Sequence, residues 1–254
     1  MDHLSRLFAW HSFANDLCTF MGWHAYVAVS AMLIKKHAAL TYGAWAGTPP
    51  EDIESRAPHV AYGKLGEMIL LDGARGNHGK LIMTPIEGNE LSYGWMGACA
   101  VNGIAVAVSK WTQEADKLLA LLTLYNAAKR PLTLHHVGRR FASQGAYDAA
   151  NILQGVGMKR PKADHERMYF PRGGRYLEHQ YFPNGLRVKS QHWDVQTPDP
   201  DDFLKFVAGA YNLQPELWEE EDPNDPRGVV WIDTGDEGPL GVMARESWWS
   251  VERD

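Results

Sequence analysis

The sequence predicts an α+β protein in which a central, mostly antiparallel mixed sheet is flanked by helices, with an N-terminal helical segment and an acidic C-terminal extension. Apolar residues recur at helical spacing near the N-terminus and over residues 113–129. Short β-compatible runs separated by turn residues fill the middle of the chain. Acidic residues and prolines accumulate beyond residue 193. We therefore expect a helical segment over 1–58, an α/β core over 59–192 and an acidic extension over 193–254.

The composition is that of an ordinary globular protein. The chain has 254 residues, of which 45% are hydrophobic and 22% are charged, which excludes global disorder and collagen-like structure. Two cysteines supply neither a disulfide framework nor a cysteine zinc site. No apolar run is long enough to span a bilayer, and the start lacks the features of a signal peptide. We expect a cytoplasmic protein without a membrane partner.

The elements of the N-terminal segment follow from apolar spacing. A first helix follows Asp2, a plausible N-cap, and breaks near Gly22. Residues 25–40 are a second apolar segment that ends in cations, which favours a helix C-terminus. Residues 26–30 are also compatible with a strand, so both alternatives stay open here.

In the middle of the chain the spacing of apolar residues changes from the helical period to the alternation typical of strands. Residues 80–86 and 91–96 are predicted strands. Asn102-Gly103 lies between two β-compatible runs, which predicts a hairpin because a type I′ turn needs positive φ at both central residues. Thr112 is the predicted N-cap of a helix over residues 113–129. A strand over 132–137, a short helix over 146–154 and strands over 165–170 and 175–182 follow. No internal repeat is visible.

The net charge of −6 is unevenly distributed along the chain. Residues 193–254 carry a net −12, whereas the first 192 residues carry +6 and residues 129–192 carry +8. A basic body suggests an anionic partner. Aromatic residues interleave with the basic ones, a pattern that suits nucleic acid or a nucleotide but also an ordinary hairpin core. The candidate contacts are Arg139, Arg140, Arg167, Arg172 and Arg175.

Histidine is the main candidate for acid–base chemistry because it titrates nearest neutral pH. His78 lies in the glycine-rich stretch 73–79, and His136 lies in a predicted strand. No spacing typical of metal ligands stands out, so no metal site is predicted. Cys99 has no adjacent base in the sequence, which argues against a catalytic thiol.

The order of elements over residues 80–183 resembles the GCN5-related N-acetyltransferase fold, and more narrowly the Mom branch of phage DNA-modification proteins. Several short motifs carry this resemblance: Ser92-Tyr93, Gly97 and Asn102-Gly103-Ile104, then Gly145, Tyr147-x-Ala149-x-Asn151 and Gly155, and last Tyr169-Phe170-Pro171-Arg172-Gly173-Gly174.

The resemblance implies acyl transfer from acetyl-CoA or another acyl-CoA. The implied cofactor-binding residues are Val106, Val108, Ser109, Thr112, Gln113 and Asn151. It also implies Tyr147 as a general acid, His136 or His78 as a base, and Asp148 beside them.

Three classes of function follow from these observations. The first is an acyl- or group-transferring enzyme that modifies a nucleic acid or nucleotide. The second is a non-enzymatic binding protein whose acidic end mimics nucleic acid or covers the basic body. The third is a hydrolase or nuclease that depends on histidine together with Asp or Glu, with or without a metal. The oligomeric state is not predicted.

Overall fold

The computed structural model divides the chain into two compact units. Unit 1 comprises Met1–Pro131 and Lys205–Asn212, and unit 2 comprises Leu132–Leu204 and Leu213–Asp254. The residues that the structure describes are 3–21, 23–33, 38–49, 56–75, 81–84, 96–110, 113–128, 132–159, 161, 165–172, 175–185, 191–199, 202–203, 205–206, 210, 216–218, 229–233 and 239–244.

A five-stranded antiparallel sheet forms the centre of unit 1. Its strands are β1 (His24–Leu33), β2 (Ala38–Gly47), β3 (Ile82–Met83), β4 (Ala98–Val101) and β5 (Ile104–Ser109). They lie in the order β2–β1–β5–β4–β3. The helices of unit 1 are α1 (His3–Met21), α2 (Ala57–Arg75) and α3 (Gln113–Ala128).

Helices cover both faces of this sheet. The Tyr42 ring of β2 contacts Phe8 and His11 of α1, whereas Tyr26 of β1 contacts Tyr62 of α2. Tyr42 pairs with Val29, the third residue after Tyr26, so the two tyrosines point to opposite faces. Small residues of β1, β4 and β5 pack with α2 in one apolar cluster that includes Ala28, Ala100, Ala107, Leu65 and Met68.

The helical interpretation of residues 25–40 is wrong, since this segment contains β1 and the start of β2. Val27, Ala28 and Val29 are all fully buried, as expected for a strand that is covered on both faces. A continuous apolar run of this kind does not distinguish a buried strand from a helix. The alternative that residues 26–30 begin a strand is the one confirmed.

The predicted hairpin at Asn102-Gly103 is confirmed. Both turn residues have positive φ, 52° and 76°, and they join β4 to β5. The predicted helix that follows is α3. Its proposed N-cap, Thr112, lies outside the described residues, as does most of the predicted strand 91–96.

A buried ion pair connects the helices of unit 1. Lys64 Nζ of α2 donates a hydrogen bond to the Val108 carbonyl oxygen at 2.8 Å and lies 3.5 Å from Asp116 Oδ2 of α3. Both side chains are almost fully buried. Burial lowers the pKa of Lys64, while the Asp116 carboxylate acts in the opposite direction.

An eight-stranded mixed sheet forms unit 2. Its elements are β6 (Thr133–Phe141), α4 (Gln144–Gln154), β7 (Met158–Lys159), β8 (Glu166–Arg172), β9 (Arg175–Tyr181), β10 (Gln191–Thr197), β11 (Glu216–Trp218), β12 (Val229–Asp233) and β13 (Pro239–Ala244). The strand order is β11–β12–β13–β10–β6–β9–β8–β7.

This sheet contains a repeat that the sequence does not reveal. β6 is parallel to β9, and β8 pairs antiparallel with β9 and β7. In the same way β10 is parallel to β13, and β12 pairs antiparallel with β13 and β11. Helical residues, including Asp202 and Phe203, follow β10 as α4 follows β6. The two halves meet where β6 and β10 pair antiparallel.

Helix α4 has clear boundaries. Ser143 is its N-cap in an extended conformation, and its Oγ accepts a hydrogen bond from the Ala146 amide. Gly155 ends the helix with a φ of 85°, a conformation that favours glycine. This placement agrees with the predicted short helix over residues 146–154.

The predicted α+β class, with a largely antiparallel mixed sheet and flanking helices, is confirmed. Strands β11–β13 and most of β10 lie within the acidic segment 193–254, so part of that segment belongs to the eight-stranded sheet. The composition-based boundaries at 58 and 192 differ from the boundaries of the compact units and stay predictions about organisation. Within the described chain, no helix combines the length and hydropathy needed to cross a bilayer.

We expect Asp116→Ala to destabilise the protein by about 3–5 kcal/mol, because it leaves the Lys64 ammonium buried without its carboxylate. Urea unfolding measures the change. The matched control is Lys159→Ala, which removes an ion pair with Glu166 in which both side chains are exposed and should cost less than about 1 kcal/mol. Equal losses of stability in the two variants would show that the buried ion pair stabilises the protein no more than the exposed pair does.

Candidate functional site

The sheet around β6, β8 and β9 has two chemically different faces. Phe141 and His179 lie on the face covered by α4, where Phe141 contacts Tyr147 of that helix. Residues one position away along each strand point to the opposite face. The residues of this second face, here called the polar face, are His136, Arg140, Arg167, Tyr169, Tyr176, Glu178 and Gln180.

A histidine and a carboxylate meet at the centre of the polar face. His136 Nε2 lies 3.3 Å from Glu178 Oε2, and both side chains are at least nine-tenths buried. β6 and β9 are parallel neighbours, and this pairing brings the two residues together from distant parts of the sequence. When the imidazole is protonated, the contact is an ion pair.

An arginine lies beside the same carboxylate. Arg167 Nη1 is 3.7 Å from Glu178 Oε1 and donates a hydrogen bond to the Tyr169 hydroxyl at 3.2 Å. The Tyr169 ring contacts the rings of His136 and Tyr176 edge to face. Glu178 is therefore approached from one side by an imidazole and from the other by a guanidinium.

The polar character continues toward the end of β6. Arg140 Nε donates a hydrogen bond to Gln180 Oε1 at 2.9 Å. Burying charged groups costs free energy that an apolar face would not require. A buried set of acid, base and arginine on one face is therefore a candidate for binding or catalysis.

The face under α4 holds a second polar group. Asn151 Oδ1 lies 2.8 Å from His179 Nδ1, and the rings of Phe141 and Phe170 contact the imidazole. Burial lowers the pKa of His179 to about 4, and the positive charge of Arg139 adds to this effect. His179 is therefore neutral at pH 7.

The predicted catalytic residues do not form one cluster. Tyr147 is the buried residue of α4, where burial raises its pKa although the nearby Asn151 amide opposes the shift. His136 is on the other face of the sheet. Asp148 is exposed and accepts a hydrogen bond from Gln144. His78 lies outside the described residues, and the roles of Tyr147 and Asp148 stay predictions.

The predicted cofactor-binding residues are divided between the two units. Val106 and Val108 are fully buried in β5 of unit 1, and Ser109 follows them. Gln113, exposed at the start of α3, accepts a hydrogen bond from the Met96 amide. Asn151 belongs to unit 2 and is bonded to His179.

The five predicted arginine contacts do not share one face of the sheet. Arg140 and Arg167 belong to the polar face. Arg139, Arg172 and Arg175 alternate with polar-face positions and therefore point to the face under α4. Arg172 there contacts the Gln154 side chain of α4. Nucleic-acid binding through all five arginines stays a prediction, since they do not form a common surface of the sheet.

Sequence reasoning missed Glu178, the central residue of the polar face. A signal was present, because Tyr176, Glu178 and Gln180 occupy alternate positions of a predicted strand. Polar residues at every second position indicate a polar face. Their proximity to His136 could not be inferred, since it depends on which strands pair.

The comparisons point away from acetyltransferases. Neither protein families nor curated proteins give any sequence match. The solved structures that resemble the chain include a glyoxalase/bleomycin resistance protein/dioxygenase superfamily member from Vibrio splendidus 12B01 (9% identity, 44% of this chain and 98% of that chain, TM-score 0.33). They also include the fosfomycin resistance protein FosX from Listeria monocytogenes (9% identity, 47% and 94%, TM-score 0.21).

A mutant of the same Listeria protein, complexed with Mn(II) and 1S,2S-dihydroxypropylphosphonic acid, is also similar (10% identity, 44% of this chain and 90% of that chain, TM-score 0.17). None of these three proteins is named as an acetyltransferase. Such low identities and TM-scores transfer no activity to this chain.

The predicted resemblance to GCN5-related N-acetyltransferases and to the Mom branch is therefore wrong. The predictions that followed from this resemblance are wrong as well. They were acyl transfer, DNA modification and the use of acetyl-CoA or another acyl-CoA as cofactor. The physical reason lies in the sheets. The residues that suggested one acetyltransferase-like sheet belong to two, because β3–β5 are in unit 1 and β6–β9 are in unit 2.

We expect the free energy of unfolding to fall as the pH is lowered from 6.5 to about 4. The folded pKa of His179 lies below its ordinary value, so the unfolded chain binds more protons in this window. This histidine accounts for up to about 3 kcal/mol. Urea unfolding at several pH values should show a shallower dependence for His179→Gln. The exposed His59, changed to Gln, is the control, and an unchanged slope in His179→Gln would contradict the expectation.

Proposed function

We propose that the polar face of unit 2 is the active site of an enzyme that moves protons on a small anionic substrate. The observation that carries this proposal is the buried contact between His136 Nε2 and Glu178 Oε2 at 3.3 Å. The proposal belongs to the class of His-dependent hydrolases rather than to acyl-CoA-dependent transferases.

The histidine and the glutamate have different roles in this mechanism. A carboxylate next to one ring nitrogen favours the tautomer that carries hydrogen on that nitrogen. Glu178 then orients the imidazole and stabilises it once it is protonated. Nδ1 of His136 is then the ring nitrogen without a hydrogen, and we assign it to take a proton from a substrate group or a water molecule. A positioned general base of this kind contributes roughly 10²–10⁴-fold to a rate.

The arginines select a substrate that carries negative charge. Among the described side chains of the polar face, Arg167 and Arg140 bring two permanent positive charges and Glu178 brings a carboxylate. Guanidinium groups bind carboxylates and phosphates through paired hydrogen bonds. A substrate with a carboxylate, phosphate or phosphonate group would suit these guanidinium groups. The rings of Tyr169 and Tyr176 supply an apolar wall for the rest of the molecule.

We expect His136→Gln to lower kcat/KM by at least about 100-fold on any substrate that the wild type turns over. A screen of small phosphate monoesters and carboxylate-bearing esters, followed by product analysis, provides the substrate. Arg167→Met should mainly raise KM, because it removes an anion contact while preserving side-chain bulk.

His59→Gln in unit 1 is the matched control and should leave the kinetics unchanged. Thermal unfolding checks that each variant folds. Unchanged turnover by a folded His136→Gln variant would overturn the proposal. Retained substrate binding without turnover by the wild type would favour the non-enzymatic alternative.

A second candidate is a divalent-metal centre on the same face. His136 and Glu178 are common ligand types, and two ligands of one ion lie roughly 3 Å apart when each is about 2 Å from the metal. The pairing of β6 with β10 places the backbone of Asp194 opposite that of His136 and the backbone of His192 opposite that of Gly138. The side chains that the structure describes contain no group of three metal-binding residues.

If this second candidate is correct, the purified protein should bind about one manganese or zinc ion per chain. Elemental analysis after exposure to each ion and removal of the excess measures the content. His136→Ala should lose the ion, whereas His59→Ala should retain it. A wild type that binds neither ion would eliminate the metal centre and leave the metal-independent mechanism.

A further inference from the structure

The edge strands of the two sheets differ in length. Among the strands that the structure describes, three of the four edge strands are short: β3 and β7 have two residues each, and β11 has three. The fourth, β2, has ten residues and pairs only with β1. Short edge strands are a common way of preventing unwanted strand pairing, so β2 is the exception.

β2 also lacks charge and proline, two further protective features of an edge, although His11 and Asn15 of α1 hydrogen-bond backbone atoms of Ala44 and Gly47 near its end. Its sequence, AALTYGAWAG, contains no charged residue and no proline. Lysines, prolines and bulges normally prevent a second chain from adding to an open edge, and β2 pairs with β1 in register over its full length without a bulge. Ala38, Ala39 and Thr41 are exposed.

Apolar side chains continue this edge on the face covered by α1. Phe8 packs against Tyr42 with ring centroids 4.6 Å apart, yet nearly half of the Phe8 side chain remains exposed, as does that of Leu4 one helical turn earlier. His11 also contacts Tyr42 and hydrogen-bonds the Ala44 carbonyl oxygen.

The face covered by α2 has a matching aromatic group. Trp45 of β2 contacts Tyr26 edge to face at 5.7 Å, and Tyr26 contacts Tyr62 of α2. A Cβ at Gly43 would lie 2.6 Å from the Tyr62 hydroxyl, so glycine lets this tyrosine lie over the edge strand. Tyr62 remains substantially exposed.

We propose that β2 pairs antiparallel with β2 of a second copy of this chain, which joins the two five-stranded sheets into one. A two-fold axis brings the same surface of each copy into contact. An uncharged strand meets itself without repulsion, and the exposed aromatic side chains on both faces would pack against their counterparts. A charged peptide would find no complementary charge on this strand.

The molar mass in solution tests the pairing, and it is independent of any activity of unit 2. The wild type should scatter as two chains over a dilution series. The double variant Ala39→Lys with Thr41→Lys places like charges at the junction, so its molar mass should fall by half, to the 28.5 kDa of one chain. Leu70→Lys, at an exposed position of α2, is the control and should remain two chains.

Amide hydrogen exchange identifies the surface that is buried. Amides of β2 should exchange more slowly in the wild type than in the double variant, while the amides of β9 should not differ. Circular dichroism checks that the variants fold. A monomeric wild type, or a dimer that the two lysines leave intact, would overturn the proposal. Protection of β2 by an added uncharged extended peptide in a monomeric wild type would identify a peptide-binding edge instead.

Discussion

The parallel pairing of β6 with β9 is the constraint on which the candidate site depends. Two parallel neighbours need a long crossover connection, which is usually helical, and here the connection includes α4, which covers one face of the sheet. Arg139, Arg172 and Arg175 point to the face under α4, whereas His136 and Glu178 lie on the other face. His136 and Glu178 come together there only because β6 and β9 are adjacent, although β7 and β8 lie between them in the sequence.

Strand β9 contributes side chains to both faces of the eight-stranded sheet. Glu178 faces the base and the arginine, while the next residue, His179, is held by Asn151 under α4. Low pKa and burial keep His179 neutral, so it adds no charge near the carboxylate that pairs with His136. The helix contact and the polar contact thus fix the position of the same strand from its two sides.

The units differ in how they use charge. Among its described residues, unit 1 buries a lysine–aspartate pair between helices, and its apolar core combines small residues with large ones such as Leu65 and Met68. Unit 2 places several charged residues on one face of its sheet. We propose a different task for each unit, self-association for unit 1 and substrate chemistry for unit 2.

The sequence by itself determined the α+β class, the Asn102-Gly103 hairpin, α3, α4 and the paired strands β8 and β9, because local periodicity and turn chemistry encode these elements. It also identified His136, Arg140 and Arg167 as candidates. It left residues 25–40 open between a helix and a strand, since a buried apolar run suits either structure. Only the tertiary structure decided the division into two sheets, the repeat in unit 2 and the meeting of His136 with Glu178. Strand pairing joins residues that are distant in sequence, and no local pattern specifies the partner.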